Sequence, residues 1–267
     1  MLSSFGITNA TFESEMILSH LLDVERYMLY INSPPITDDV EKKFFRLISQ
    51  RCKHVPIAYI LKTTYFWGYQ FMIEPGVFIP RPETETIIVA ATELIANPEA
   101  EINILDMCTG CGVLAVVLAK MFPESLIFAT DISQKAVNLA RKNVEFYNLQ
   151  DRVFVYRANI INKKINKKFY LIVSNPPYLT REEICNVPEE VKKEPLRALN
   201  GGRDGMQVIR RILEIAPELL EKEGFLILEI SPWQVKFFHN LEKYGLVLVR
   251  VFKDITGNER VVVLKPV

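Results

Sequence analysis

The chain has 267 residues, 49% hydrophobic and 24% charged, an ordinary globular composition with room for one large domain or a standard domain plus a small one. Its 32 Lys and Arg balance 32 Asp and Glu, so the totals carry no basic excess to neutralise phosphates, and direct nucleic-acid binding is not expected. Four cysteines are too few for a disulfide scaffold, no apolar stretch nears the ~20 residues that span a bilayer, and residues 1–6 lack a basic region followed by an apolar run; the expectation is a cytoplasmic protein with no membrane contact.

Residues 1–63 read as helical. Phe12, Met16, Ile17, Leu21 and Leu22 recur at helical spacing, and Pro34-Pro35 breaks the chain after them. Thr37 is a candidate N-cap for a second helix, with Asp38 and Asp39 in its positive first turn. The apolar face of that helix is Val40, Phe44, Leu47 and Ile48, and Arg51 and Lys53 suit its C-terminal end. Residues 64–80 change character: Thr64, Tyr65, Phe66, Trp67, Tyr69, Phe71, Ile73, Val77 and Phe78 are β-formers, and Gly68, Pro75 and Gly76 are turn residues. They predict a β-hairpin which, with the extended Pro80-Arg81-Pro82, makes 64–82 a linker between two domains.

A helix is expected over 83–96. Strands at 102–107, 126–131, 153–157, 170–174, 225–230, 246–252 and 260–264 then alternate with helices near 112–121, 133–147, 205–222 and 232–243. Such alternation implies an α/β domain over 83–267, with a mostly parallel sheet covered on both faces. The last two strands have no helix between them and should pair antiparallel. There is no internal repeat and no low-complexity tract.

Asp106-Met107-Cys108-Thr109-Gly110-Cys111-Gly112 follows a predicted strand and opens a helix. Gly110 and Gly112 permit a tight turn and a close approach of backbone to ligand. Asp131 ends the next strand, placed to accept hydrogen bonds from two ribose hydroxyls. By itself the pattern fits a dinucleotide, an adenosyl ligand or a plain strand-to-helix turn. Cys108 and Cys111 form a CxxC, but no second cysteine pair or nearby histidine completes a tetrahedral set, so no metal is expected.

Asn175-Pro176-Pro177-Tyr178 follows the apolar strand Leu171-Ile172-Val173-Ser174, at the carboxyl end where open α/β sheets hold their chemistry. The residue types suit methylation of a planar nitrogen. An amide nitrogen is a poor nucleophile because its lone pair is delocalised into the carbonyl. Two acceptors aimed at its N–H bonds favour pyramidalisation and free the lone pair. The Asn175 side-chain oxygen and the Pro176 carbonyl can supply them. Pro176 and Pro177 hold that carbonyl rigidly and add no donor. Tyr178 offers a ring face to the planar group and to the positive charge being transferred. The bland alternative is a proline turn that merely ends a strand. The pairing with the glycine loop and Asp131 weighs against it.

With these motifs in hand, the sequence resembles the HemK-type (PrmC) family, the glutamine methyltransferases of peptide chain release factors. The resemblance runs through Pro56-Ile57-Ala58-Tyr59-Ile60, Phe78-Ile79-Pro80-Arg81-Pro82-Glu83-Thr84-Glu85, the glycine loop and Asn-Pro-Pro-Tyr. It continues through Glu194-Pro195 with Ala198-Leu199, Asp204-Gly205-Met206, and Gly257-Asn258-Glu259-Arg260. It implies a Rossmann-like seven-stranded domain dependent on S-adenosyl-L-methionine, a small N-terminal helical domain for substrate recognition, and the hairpin linker. Implied cofactor contacts come from Cys108, Thr109, Gly110, Cys111, Gly112, Asp131, Asn175 and, against the adenine, Asn159 and Ile160. Implied substrate contacts to the glutamine of a Gly-Gly-Gln tripeptide come from Asn175, Pro176, Pro177, Tyr178 and Glu194. Three departures stand out: Cys108 replaces the first loop glycine, Asn159-Ile160 replaces an acidic residue with an aromatic neighbour, and the N-terminal bundle is expected to be short by one helix.

Asn-Pro-Pro-Tyr is shared with adenine methyltransferases, which would flip a base into the same pocket. They should carry a recognition insertion or a basic stripe, and the sequence has neither. A glutamine methyltransferase of a ribosomal protein stays open as a reading of the residues, whereas Asn175, Pro176 and Tyr178 together speak against a non-catalytic adenosyl-binding module. Lys163, Lys164, Lys167 and Lys168 read as a solvated loop, and His20, His54 and His239 have no ligand-like spacing. Trp67 reads as core.

Overall fold

The computed structural model describes residues 1–159 and 167–267, which divide into two compact units. The smaller comprises Met1–Thr63 with Pro188–Lys193, the larger Thr64–Val187 with Glu194–Val267.

In the smaller unit the helices Ala10–Leu22 and Asp38–Cys52 pack on each other, with short turns of helix at Leu2–Phe5, Met28–Ile31 and Ile57–Leu61. Thr37 caps the second long helix, its side chain accepting from the Val40 N–H at 3.4 Å, and Asp38, Asp39 and Glu41 fill the first turn. Ile17, Ile48, Cys52, Ile60 and Leu61 close a core with Leu2 and Ile7. Phe12, one of the apolar residues at helical spacing, is half exposed. At the end of the second helix the buried Arg51 bridges Glu13 at 2.5 Å and Glu190 at 2.7 Å. That pair brings a distant segment of chain into the unit.

The larger unit starts with a hairpin, β1 (Thr63–Phe66) and β2 (Tyr69–Met72). Its two-residue turn, Trp67 (φ 52°) and Gly68 (φ 75°), is left-handed at both positions, which matches the twist of paired strands. Trp67 thus makes the turn, half-buried rather than core, and Val77 and Phe78 lie beyond the hairpin. Buried Asn143 ties β2 to the loop at Cys111: it exchanges hydrogen bonds with Met72 and donates to the Cys111 carbonyl at 2.8 Å.

Seven strands form the main sheet: β3 (Asn103–Met107), β4 (Leu126–Asp131), β5 (Val153–Arg157), β6 (Phe169–Ser174), β7 (Leu220–Glu229), β8 (Leu246–Lys253) and β9 (Glu259–Pro266). Their order is β5-β4-β3-β6-β7-β9-β8, parallel up to β7, with β9 antiparallel to both of its neighbours. The strands between the edges are apolar and buried on both faces, as a parallel sheet under helices requires. On one face Leu105, Met107, Ile172, Leu226 and Leu228 meet Ile209, Ile212, Leu213 and Ala216 of the helix Gln207–Leu219. The topology places the carboxyl ends of β3, β4 and β6 side by side, with the order reversing between β3 and β6, where such sheets bind ligands.

Two elements differ from expectation. β7 begins at Leu220, taking residues assigned to the preceding helix; Gly224 allows this, since a Cβ there would meet the Phe169 and Tyr170 carbonyls at 2.9 Å. The segment 232–243 is a 3₁₀ helix, Pro232–His239, followed by a single turn, Glu242–Tyr244, where an α-helix was expected. Among the described residues no helix is long and apolar enough to cross a membrane.

Candidate active site

The loop after β3 is built on left-handed backbone. Cys108 (φ 61°), Gly110 (φ 58°) and Gly112 (φ 88°) turn the chain from strand into the helix Val113–Met121. Cysteine therefore adopts the angle that the first loop position demands, at a cost of roughly 1–2 kcal/mol relative to glycine. A Cβ on Gly110 would enter open space, so this backbone can be approached by a ligand. A Cβ on Gly112 would press on Ala140 at 3.1 Å, so Gly112 serves helix packing and lies off the cavity wall.

Asp131, at the end of β4, closes the loop. One carboxylate oxygen accepts from the Gly110 N–H at 3.0 Å and the other from the Ser133 N–H at 2.8 Å. Each oxygen keeps a second lone pair. Burial raises the Asp131 pKa, opposed by those two N–H groups and by the charge of Arg197. Beneath the loop lies Asp106, fully buried, accepting from the Thr109 hydroxyl at 2.5 Å. Burial pushes its carboxyl up to about 7, with Asp131 adding to the rise. The Cys108 and Cys111 thiols are pushed up to about 12 by burial, so both stay protonated and unreactive near neutral pH. Among the described residues no group of His, Cys, Asp and Glu is arranged to hold a metal ion.

A cavity of about 770 Å³ opens above these strand ends. It brings together Cys108, Thr109, Gly110, Cys111, Asp131, Asn159, Asn175 and Pro177 of the residues singled out in the sequence. Its volume and its mostly apolar wall with a few polar groups suit a nucleoside-sized ligand. Ile160 lies outside the described residues, as do Lys163 and Lys164. Lys167 sits over the Phe128 ring at 4.7 Å.

Asn175 caps β6, and its Nδ2 donates to the Thr84 hydroxyl at 2.9 Å. Pro176 is buried behind it. Tyr178 turns away from the cavity wall into the core, its hydroxyl donating to buried Glu229 at 2.9 Å. Backbone packs tightly around it: a Cβ on Gly205 would collide with the Tyr178 carbonyl oxygen, and Gln234 donates to the Gly205 carbonyl at 3.1 Å. This is the physical reason for glycine in Asp204-Gly205-Met206.

Glu194 is likewise off the cavity wall. It accepts from the Ile79 N–H at 3.0 Å and pairs with Arg81, clamping the Ile-Pro-Arg-Pro segment whose Phe78, Pro80 and Thr84 do line the cavity. Reading from sequence missed Thr84, Glu229, Arg197 and Arg211 as neighbours of the site. An ionisable residue ending a buried strand was the available signal for Glu229; the two arginines had none.

A parallel sheet with one reversed strand, a left-handed loop after β3, a carboxylate ending β4 and Asn-Pro-Pro-Tyr after β6 together define a Rossmann-like methyltransferase. Comparison with known proteins agrees. Residues 68–202 match the model of the methyltransferase small domain, and residues 1–61 that of the PrmC N-terminal domain. The chain is 37% identical to a release factor glutamine methyltransferase of Thermodesulfovibrio yellowstonii, over 95% of this chain and 91% of that protein. It is 34% identical to the one named so in Clostridium botulinum, over 98% and 94%. Among solved structures it is similar to a methyltransferase from Pyrococcus furiosus (TM-score 0.54, 17% identity, 85% of this chain and 98% of that one). It also resembles a ribosomal protein L11 methylase from Lactobacillus delbrueckii subsp. bulgaricus (TM-score 0.52, 16% identity, 76% and 89%), a likeness of fold alone. The chain belongs to the release factor glutamine methyltransferase family and is an enzyme.

Proposed function

We propose that the protein transfers a methyl group from S-adenosyl-L-methionine to the side-chain amide nitrogen of the glutamine in the Gly-Gly-Gln motif of a peptide chain release factor. The observation that carries this reading is the sharing of one cavity by the Gly110–Asp131 loop and by Asn175 with Pro177. The donor fits the first set: exposed left-handed backbone at Gly110 and a carboxylate with spare lone pairs are suited to an adenosyl group, with Thr109, Cys111 and Asn159 beside them. When bound, it supplies an electrophilic sulfonium methyl.

The remaining work falls to the chain itself. Asn175 commits its NH₂ to Thr84, which leaves its oxygen to accept one N–H of the substrate amide. The Pro176 carbonyl accepts the other. Both acceptors grow stronger as the nitrogen pyramidalises, so they favour the transition state over the ground state. Pro177 lines the slot for the planar amide, and Tyr178, anchored in the core through Glu229, holds the turn that presents it. Residues 1–63 select the protein, since a pocket reading one side chain cannot. The Glu194–Arg81 clamp makes Glu194 a positioning residue for the slot.

The test is incubation with labelled S-adenosyl-L-methionine and a purified release factor, followed by peptide mass mapping. One methyl on the glutamine of Gly-Gly-Gln is expected. Label on another residue, or on a ribosomal protein and not on the factor, overturns the substrate assignment.

A further inference from the structure

Asn175 poses a problem that its type does not solve. The oxygen and nitrogen ends of a primary amide have nearly the same shape, so packing alone cannot decide which end faces the cavity. Only the oxygen end can accept a substrate N–H. Something must fix the orientation.

The group at hand is Thr84, buried to 2% exposure, whose Oγ1 lies 2.9 Å from Asn175 Nδ2. A hydroxyl can donate or accept, so it fixes the amide only if its own proton is directed elsewhere. Burial raises the carboxyl pKa of Glu229, which is 1% exposed, and the nearby Thr84 hydroxyl opposes that rise by favouring the ionised form. One of the Glu229 oxygens already accepts from Tyr178, while the second, Oε2, is buried with no hydrogen-bond partner among the described residues. An ionised carboxylate only accepts. The charge of Arg260 bears on the same carboxylate, and Arg260 is itself fixed by Asp254 at 2.9 Å. That gives a physical purpose to the segment Gly257-Asn258-Glu259-Arg260.

We infer that Thr84 and Glu229 are positioning residues that set the polarity of a buried relay: the Glu229 carboxylate draws the Thr84 and Tyr178 hydroxyl protons, Thr84 must then accept from the Asn175 NH₂, and the Asn175 oxygen is thereby turned to the substrate. Both ends of the Asn-Pro-Pro-Tyr turn are thus tied to one carboxylate. A flipped Asn175 would set its oxygen against the Thr84 oxygen with no proton between them, leaving buried acceptors unmatched. The inference rests on the proposed role of Asn175, but it makes its own claim about which end of the amide faces Thr84.

Four measurements on the whole chain test it. Thr84→Val keeps the shape and removes the hydroxyl; kcat should fall tenfold or more, with KM for the release factor and cofactor Kd each within threefold. Thr84→Ser should restore kcat to within threefold of wild type. In an Asn175→Asp background, where either end of the side chain presents an oxygen, Thr84→Val should lose less than threefold, whereas a residue that merely packs would cost the same in both backgrounds. Independently of any substrate, the Asn175 side-chain NH₂ signals in a ¹⁵N spectrum should exchange slowly with solvent in wild type and at least tenfold faster in Thr84→Val. Unchanged exchange, or failure of serine to rescue, overturns the relay even if the protein methylates release factors. Absence of wild-type turnover on the factor overturns the substrate assignment, and the exchange measurement still decides the relay.

Discussion

The Gly110 N–H donates to the Asp131 carboxylate at 3.0 Å, joining the glycine loop to the end of the neighbouring strand. One side chain therefore holds the loop in its ligand-ready shape and faces the cavity.

Asp131→Ala should weaken binding of S-adenosyl-L-methionine or its demethylated product by about 1.5–3 kcal/mol, the range for a hydrogen bond to a charged group. Calorimetry reads this directly. Unchanged affinity would remove Asp131 from the ligand site and leave it only as a loop tie.

Cys108 sits at φ 61°, an angle glycine reaches without strain. Cys108→Gly should stabilise the fold by up to about 1 kcal/mol, since the relief of strain is partly offset by the entropy glycine loses on folding. Chemical denaturation measures it. A loss of more than 1 kcal/mol would mean that the half-buried Cys108 side chain contributes packing that outweighs the strain.

Asp106 gives a pH dependence of known sign. Its carboxyl is raised from 3.8 to about 7 by burial, so the folded protein holds a proton that the unfolded chain has released. Its contribution to stability is full below about pH 4 and is lost as pH rises toward 7, at about 1.4 kcal/mol for each pH unit of that interval. Asp106→Asn should flatten this fall, seen as a smaller difference in unfolding free energy between pH 5 and pH 7.5 than in wild type. Equal differences would show that Asp106 is ionised in the native state throughout.

Arg51 is 4% exposed and joins Glu13 to Glu190 within the smaller unit. Removing one partner of a buried ion pair costs about 3–5 kcal/mol. Arg51→Met should therefore loosen this unit, and methylation of intact release factor should fall while cofactor affinity stays within twofold. Full methylation of the factor by a variant with the expected loss of stability would detach the unit from substrate selection.

Most of the main sheet was legible because buried parallel strands read as short apolar runs, and β4 and β5 fall on the residues expected. The start of β7 was hidden: Glu221-Lys222-Glu223-Gly224 looks like a helix end, and only the close approach of the Phe169 carbonyl explains its extended form. The 3₁₀ geometry after Pro232 has no signature in apolar spacing. Pro188–Lys193 joins the smaller unit through Glu190 and Arg51, a long-range pair no local pattern reveals. In the site, residue types announced Asp131 and Asn175, but the orientation of the Asn175 amide depends on Thr84, 91 positions earlier in the chain.

The central claim is that the Asn175 oxygen accepts a hydrogen bond from the amide being methylated. Its most direct test is the single-turnover rate of Asn175→Asp beside that of Asn175→Ala on the intact release factor, with cofactor saturating. Losing one preorganised acceptor costs about 3–4 kcal/mol, so the alanine variant should be some hundreds-fold slower than wild type. The aspartate variant, still an acceptor, should keep a rate at least tenfold above alanine. Equal rates in the two variants would contradict the account, because the site would then need the asparagine NH₂ and not its oxygen.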